Sequence, residues 1–180
     1  MDRSSFTELT DPVTAKDHSI GPDDAPITIV EYGDYECPDC LNAVPIIAEV
    51  RRALGDRLRF VFRHFPQSSI HPHASTAAEA AEAAAEQGKF WQMHEALFKH
   101  QKELAEIDLS HLALQLGLEI YRFDTSRSQE RNHRRIKSDQ ESGTRSGVRK
   151  TPTLFINGRR YDGPVVAASI IQAAEAVIRS

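Results

Sequence analysis

The two cysteines of the chain, Cys37 and Cys40, stand three positions apart in the segment EYGDYECPDC, residues 31–40. A structural disulfide between them would close a loop too small to stabilise the fold much, because that stabilisation grows with loop length. A metal site needs more ligands than two thiols supply. The remaining chemistry for such a pair is the exchange of electrons with another thiol or disulfide.

The elements around the cysteines are predicted to form a strand, a helix and a second strand. The segment PITIVEYGD (26–34) is typical of a buried strand. From residue 38 apolar side chains recur at helical spacing, with a kink expected at Pro45 and a stop at Leu-Gly (54–55). The segment RLRFVFRHF (57–65) alternates apolar residues with arginines and predicts a strand. This order favours a parallel crossover, with the cysteines on the turn that begins the helix.

The rest of the chain is predicted to be mostly helical before it returns to β structure. Four helices are predicted, over residues 73–88, 89–101, 108–118 and 123–142. The segment 151–163 then predicts two strands joined by a turn at Asn157-Gly158. An amphipathic helix is predicted over 164–180, with Pro164 in its first turn.

Composition sets limits on the class of protein. A chain of 180 residues with 40% hydrophobic and 27% charged residues suits one soluble domain with its own core. The net charge of -4 argues against nucleic acid as a partner. Residues 1–25 contain no apolar run typical of a signal peptide, and no later run is long enough for a membrane span. If Met1 is the true start, we expect a cytoplasmic protein, in which a CxxC pair is more often catalytic or metal-binding than structural.

Several motifs together resemble the DsbA-like thiol–disulfide oxidoreductases of the thioredoxin superfamily. They are CPDC after a strand, a kink proline eight residues after the first cysteine, and Thr-Pro before a strand hairpin. The segments 21–40, 71–98 and 147–163 are similar to bacterial members of that family, and the resemblance covers about residues 20–178. It implies an α/β, thioredoxin-like fold with a helical insertion.

The resemblance also implies a domain layout. A single DsbA-like domain would cover residues 26–180. Its thioredoxin core would consist of 26–66 and 148–180, and the helical insertion would cover about 70–147. Before this domain, the polar and turn-rich residues 1–25 are themselves expected to form an N-terminal extension with a short edge strand near 13–19.

The physics of the motif assigns different roles to the two cysteines. Cys37 would lie at the helix N-terminus, where the helix dipole and free N–H groups favour a thiolate. That thiolate would attack a partner disulfide, and Cys40 would resolve the mixed disulfide by attacking Cys37. Pro38 has no N–H and suits the first turn of the helix.

Further roles come from the resemblance alone. It implies that Pro152 is cis and stacks beside the cysteines, and that the backbone of Thr151 pairs with a bound substrate strand. It implies that Glu31 is a buried acid that handles the proton of Cys40. The expected partners are protein or peptide thiols and disulfides, with glutathione as a candidate co-substrate and no other cofactor, metal, nucleic acid or membrane.

Four acidic residues surround the cysteines in the sequence: Glu31, Asp34, Glu36 and Asp39. Asp34 and Glu36 are expected to take ordinary turn roles. Asp39 lies between the thiols, where DsbA itself has a histidine, and its carboxylate should destabilise a thiolate at Cys37. This favours a weaker oxidant than DsbA and leaves the direction of electron flow open.

Two alternatives remain from the sequence. Glutathione-dependent isomerases or transferases share the fold, but those relatives usually lack the second cysteine. A non-enzymatic metal or partner-binding module could combine Cys37 and Cys40 with His64, His71 or His73, which are ligand types that suit zinc. No spacing joins these histidines to the cysteines, and capping or surface roles are expected for His71 and His73.

Overall fold

The computed structural model of the protein describes residues 8–104 and 107–179. Its strands are β1 (His18–Ile20), β2 (Ile27–Gly33), β3 (Leu58–His64), β4 (Thr153–Ile156) and β5 (Arg159–Tyr161). They form one sheet in the order β1-β3-β2-β4-β5. The β2–β3 pair is parallel and the other pairs are antiparallel, so the sheet is mixed with β2 at its centre.

The helices in the described part of the chain are α1 (Pro38–Leu54), α2 (Ala74–Ala85), α3 (Phe90–Lys99), α4 (Leu109–Gln115), α5 (Ile120–Arg127), α6 (Glu130–Arg145) and α7 (Ala167–Val177). Short 3-10 turns cover Gly55–Arg57 and Gln101–Glu103. Helices α2 to α6 lie between β3 and β4 in the chain, as expected of a helical insertion. Within the two described ranges, every helix is too short or too polar to cross a bilayer.

Helix α1 begins and ends where the sequence predicted. Pro38 occupies the first helical turn, and Gly55 follows the helix with a φ of 53°, a conformation that glycine adopts without steric cost. Pro45 lies inside the helix. One face packs into the core through Cys40, Ala43, Ile47, Val50 and Leu54. The strand–helix–strand unit is therefore the parallel crossover that the sequence predicted.

The prediction of one polar helix over 123–142 is wrong, because two helices occupy this part of the chain. The break lies between Arg127 and Glu130, where Gln129 has an extended backbone. The side-chain amide of Asn132 donates to the backbone oxygen of Ser126, at 2.8 Å. The backbone N–H of Gln129 donates to the same oxygen, at 3.0 Å, so this carbonyl at the end of α5 is satisfied within the break.

The C-terminal helix also differs from its prediction. It begins at Ala167 and not at Pro164, because Val166 has an extended backbone with φ −136° and ψ 145°. The backbone oxygen of Pro164 accepts a hydrogen bond from the N–H of Val166, at 2.8 Å, and another from the Tyr161 hydroxyl, at 2.8 Å. Pro164 therefore ends a turn before the helix instead of opening the helix.

Strand β3 is buried along its whole length, although its sequence alternates apolar residues with arginines. Arg63 donates to the carboxylate of Asp17, at 2.8 and 3.2 Å, and to the backbone oxygens of Asp11 and Pro12. Arg59 donates to the backbone oxygen of Thr14, at 3.2 Å. The segment before β1 thus covers the arginine side of β3, and no arginine face is left open to solvent.

The N-terminal part of the chain contributes an edge strand. β1 lies at His18–Ile20, near the C-terminal limit of the strand expected at 13–19, and pairs antiparallel with β3. Residues 1–7 lie outside the described residues. The domain boundaries read from the sequence stay predictions.

Candidate active site

The two cysteines lie at the start of α1 and are free thiols. Cys37 is the N-cap residue, with an extended backbone, and Cys40 lies in the first turn of the helix. Cys37 is 6% exposed and Cys40 is fully buried. The Cys37 thiol donates to the backbone oxygen of Thr151, at 3.3 Å, and the Cys40 sulfur accepts from the backbone N–H of Asp34, at 3.5 Å. Cys37 is therefore the thiol that lies nearer the surface.

The surroundings of Cys37 favour the charged form of this residue. Its pKa is lowered from 9.0 to about 5, chiefly by a hydrogen bond from the Cys40 side chain. Burial opposes this effect, while the Thr151 side chain and the backbone N–H groups of Cys40 and Asp39 support it. These N–H groups belong to the free first turn of α1, where an anion is stabilised. Cys37 is thus a thiolate near neutral pH.

The pKa values of Cys40 and Glu31 are raised, in contrast to that of Cys37. Burial raises the pKa of Cys40 well above its usual value, and the hydrogen bond to Cys37 and the charge of Glu31 raise it further. Burial also raises the pKa of Glu31, on β2, to about 8, with a contribution from the charge of Cys37. Glu31 can therefore bind or release a proton close to neutral pH, in electrostatic contact with both thiols.

Thr151 and Pro152 lie opposite the start of α1, and the peptide bond between them is cis. The Thr151 hydroxyl donates to the side-chain oxygen of Gln67, at 3.1 Å. A cleft of about 250 Å³ runs along this side of α1 and is lined by Pro152, Ile46 and Val165 among others. The cleft offers apolar, polar and charged side chains along α1.

Asp39 and Lys150 place opposite charges on the lining of this cleft. The Asp39 side chain is exposed to solvent. The backbone N–H of Asp39 lowers the pKa of Cys37 and so supports the thiolate. The carboxylate of Asp39, which lies at the surface, repels the same thiolate.

Gln101 is a site residue that the sequence did not reveal. Its side-chain amide donates to the backbone oxygens of Tyr35 and Cys37, at 2.9 and 2.8 Å. The helical insertion thereby fixes the turn that carries Cys37. Gln101 and Cys37 are 64 positions apart in the chain. A glutamine between helices carries no motif that could have indicated a contact to Cys37.

Asp34 organises the loop next to the cysteines. Its buried carboxylate accepts hydrogen bonds from the backbone N–H groups of Glu36 and Gln67, each at 2.8 Å, and contacts Nδ1 of His71 at 2.7 Å. The contact to Glu36 is the turn role that the sequence predicted. The other two contacts connect the active-site turn to the loop after β3, which the sequence did not predict. Glu36 in turn accepts from the backbone N–H of His73, at 2.6 Å.

The histidines considered as zinc ligands with the cysteines are held elsewhere. His64 contacts Glu82 at 2.8 Å, and His71 contacts Asp34. His73 precedes α2 without a side-chain capping bond. Among the described residues, the group of three that could hold a metal ion is His18, His64 and Glu82, which includes neither cysteine.

Comparison with solved structures shows the fold. BdbD from Bacillus subtilis superposes with a TM-score of 0.82 at 22% identity, covering 97% of this chain and 99% of that chain. A thioredoxin-like oxidoreductase from Silicibacter pomeroyi superposes with a TM-score of 0.79 at 22% identity, covering 100% of this chain and 99% of that chain. The helical insertion in a thioredoxin-like α/β sheet is therefore the DsbA-like arrangement, as the sequence predicted.

Comparison with curated proteins finds longer relatives. The Na⁺/H⁺ antiporter NhaA 1 of Mycolicibacterium gilvum is 46% identical over 164 residues, which are 89% of this chain and 26% of the relative. NhaA 3 of Salinispora tropica is 48% identical over 151 residues, 83% of this chain and 23% of the relative. The chain thus spans about a quarter of the length of these relatives. The family model described as thioredoxin matches residues 13–175, and the chain belongs to the thioredoxin family.

Proposed function

We propose that the chain is a thiol–disulfide oxidoreductase that acts through a mixed disulfide at Cys37. The observation that carries the proposal is the pairing of a low-pKa cysteine at a helix N-terminus with a second, protonated cysteine one turn behind it. Their difference in pKa separates an attacking thiolate from a resolving thiol. The fold of the neighbours named above supports this chemistry.

The first step is attack by the Cys37 thiolate on a substrate disulfide. A bond forms between the Cys37 sulfur and one substrate sulfur, the substrate S–S bond breaks, and the other substrate sulfur leaves as a thiolate. Because a thiolate cannot donate a hydrogen bond, the contact from Cys37 to the Thr151 oxygen is lost when Cys37 ionises. That oxygen is then free to accept an N–H from the backbone of a peptide substrate.

The second step uses Cys40 and Glu31. The ionised form of Glu31, which is the minor form at neutral pH because its pKa is about 8, accepts the proton of Cys40, and the Cys40 sulfur attacks Cys37. A Cys37–Cys40 disulfide forms, the mixed disulfide breaks, and the second substrate sulfur leaves as a thiolate. The substrate gains two electrons and the protein loses two. The same steps in reverse order oxidise a substrate dithiol. The direction of electron flow therefore depends on the resting redox state of the cysteines and on the partner that restores it.

The cleft beside Pro152 favours protein or peptide substrates, because its lining combines apolar side chains with one acidic and one basic side chain. Glutathione is the small substrate that the same chemistry would accept. The cytoplasmic location expected from the sequence is part of this proposal, and fractionation of cells that express the full natural protein would test it. The antiport named for the curated relatives is stated of those proteins, and our proposal concerns the thiols alone.

A trapping experiment tests the proposal. Cys40→Ser, incubated with a peptide that contains one disulfide, should accumulate a covalent adduct whose mass equals protein plus peptide, since the resolving thiol is absent. Cys37→Ser should form none, and reductant should release the peptide. No adduct with Cys40→Ser, or equal adducts with both variants, would show that Cys37 is not the attacking thiol.

The same variants separate the oxidoreductase from a glutathione-dependent transferase of the same fold. A transferase needs one reactive cysteine, so Cys40→Ser would keep its turnover with glutathione. Reduction of a peptide disulfide by the dithiol route needs both cysteines, and we expect Cys40→Ser to lose multiple turnover while it still forms the first adduct.

A further inference from the structure

A cluster of three ligand-type side chains lies away from the cysteines. We call it the His–Glu cluster, and it consists of His18 on β1, His64 at the end of β3 and Glu82 on α2. Nε2 of His18 lies 2.6 Å from Oε1 of Glu82, and Nε2 of His64 lies 2.8 Å from the same oxygen. The ligand atoms of the three residues all lie within 4.8 Å of one another.

The cluster is buried and its members are held in place. The side chains of His64 and Glu82 are 1% and 8% exposed, whereas that of His18 is 17% exposed. The His18 ring stacks on Phe90, with 3.6 Å between centroids and an interplanar angle of 9°. The backbone N–H of His64 donates to Asp139, at 3.0 Å. The ligand atoms are therefore placed before any ion arrives, and one side of the cluster faces the surface at His18.

The residue types of the cluster suit a cation. His18 and His64 offer imidazole nitrogens, and Glu82 offers a carboxyl oxygen. Two imidazoles and one carboxylate are a ligand set that zinc accepts, with water in the fourth position.

The distances allow an ion with small movements. Tetrahedral Zn²⁺ with bonds of about 2 Å requires ligand atoms about 3.3 Å apart. The two short contacts would therefore lengthen by about 0.7 and 0.5 Å. The ligand nitrogens of the two histidines, which lie within 4.8 Å of each other, would settle about 3.3 Å apart. Both histidines direct Nε2 at a single oxygen, so an ion placed between them would replace both hydrogen bonds at once.

We propose that His18, His64 and Glu82 bind one Zn²⁺ ion, with water on the His18 side as the fourth ligand. The ion would join three segments that are distant in the chain: the N-terminal part through β1, the core sheet through β3, and the helical insertion through α2. Binding to the folded state alone raises stability by mass action. The site would therefore hold the insertion onto the sheet, independently of the redox chemistry.

The test uses the protein with Cys37→Ser and Cys40→Ser, because the thiols could bind zinc themselves. Dialysis against Zn²⁺ followed by metal analysis should give one ion per chain. Titration with Co²⁺ should produce the visible absorption of a tetrahedral site, and this measurement needs no change within the cluster. Less than about a tenth of an ion per chain, with no cobalt spectrum, would overturn the proposal.

Variants in that background identify the ligands. Glu82→Gln and His18→Ala should each weaken zinc binding by at least about 100-fold, since loss of a ligand exceeds the effect of losing its supporting contacts. His111→Ala, an exposed histidine on α4, should bind zinc as its parent does. The parent should melt at a higher temperature with zinc than with chelator, and Glu82→Gln should not. Unchanged zinc affinity in both cluster variants, each shown to be folded by circular dichroism, would place the ion elsewhere and refute the proposal.

Discussion

The thiol of Cys37 lies 3.3 Å from the backbone oxygen of Thr151, a residue 114 positions later in the chain. The contact brings the start of α1 against the loop before β4. It places the Cys37 sulfur next to a backbone acceptor. The two groups therefore adjoin, although they come from segments that are distant in the chain.

The low pKa of Cys37 should depend on the side chain of Cys40. The hydrogen bond from Cys40 is the largest cause of that low value, near 5. We expect Cys40→Ala to raise the Cys37 pKa by at least about one unit, whereas Cys40→Ser keeps a donor and should raise it less. The pH dependence of iodoacetamide labelling measures both. Identical midpoints in the two variants would mean that the helix terminus alone sets the pKa.

In the reduced wild type, the same labelling should reach Cys37 first and leave Cys40 almost unmodified. Cys37 is the more accessible and more acidic thiol, while burial keeps Cys40 protonated. Peptide mass analysis of the labelled protein distinguishes the two sites. Equal modification of both, with a midpoint near that of free cysteine, would contradict the assigned roles.

Glu31 should make stability depend on pH. Burial in the folded protein raises its pKa from 4.5 to about 8. Below pH 4.5 the carboxyl group is protonated in both states. As the pH rises towards 8, only the unfolded state ionises, so the wild type loses stability that Glu31→Gln retains. The difference in unfolding free energy between Glu31→Gln and the wild type should reach a few kcal/mol above pH 8.

Urea unfolding of the oxidised protein at pH 5 and pH 9 measures this effect, since neither cysteine titrates in the disulfide and burial remains the main cause. The unfolding free energy of Glu31→Gln, relative to that of the wild type, should be higher at pH 9 than at pH 5. In the reduced protein the same variant should slow the Cys40 step, because it cannot accept the proton. A gap that shrinks as the pH rises would reverse the sign and disprove a buried, protonated Glu31.

Asp39 should make the protein less oxidising than a histidine would at that position. Its exposed carboxylate repels the Cys37 thiolate and so disfavours the reduced form of the protein. Asp39→His should lower the Cys37 pKa by up to about one unit and favour the reduced form. The equilibrium constant with glutathione measures the change, and Asp56→His, an exposed acid on the 3-10 turn after α1, is the control. A more reducing Asp39→His protein would show that the carboxylate does not act electrostatically.

The buried pair of Asp17 and Arg63 should contribute strongly to stability. The side chains are 6% and 4% exposed, and the pair anchors the N-terminal part of the chain on β3. Asp17→Ala leaves the guanidinium buried without its carboxylate and should cost about 3 kcal/mol of unfolding free energy. Glu175→Ala, which removes a partly exposed contact to Arg57, should cost below about 1 kcal/mol. Equal losses in the two variants would indicate that Arg63 finds other acceptors.

The sequence was sufficient to place the strands and the helix next to the cysteines. Proline at the first turn, glycine after the last turn and Asn157-Gly158 between two strands are short-range signals, and the structure confirms the elements that they predicted. Their strength is that each acts on backbone geometry directly. The position of Cys37 at a helix start belongs to this class.

Long-range contacts were beyond such signals. Arg63 looks like a solvent-facing residue in an alternating strand, and only the covering segment around Asp17 makes it interior. Gln101 and His71 reach the active-site turn from segments whose patterns describe ordinary helices and loops. The break between α5 and α6 includes a side-chain contact from Asn132, which sequence periodicity does not register.

The sheet has three-residue strands at both margins, β1 and β5. Such short margins offer few unpaired N–H and C=O groups to a strand of another molecule. β5 begins with Arg159 and Arg160, whose charges oppose stacking against an identical margin, and Glu8 forms an isolated bridge with Arg159. Two copies of this sheet are therefore poorly suited to join end to end, because each margin is short and one carries repelling charges.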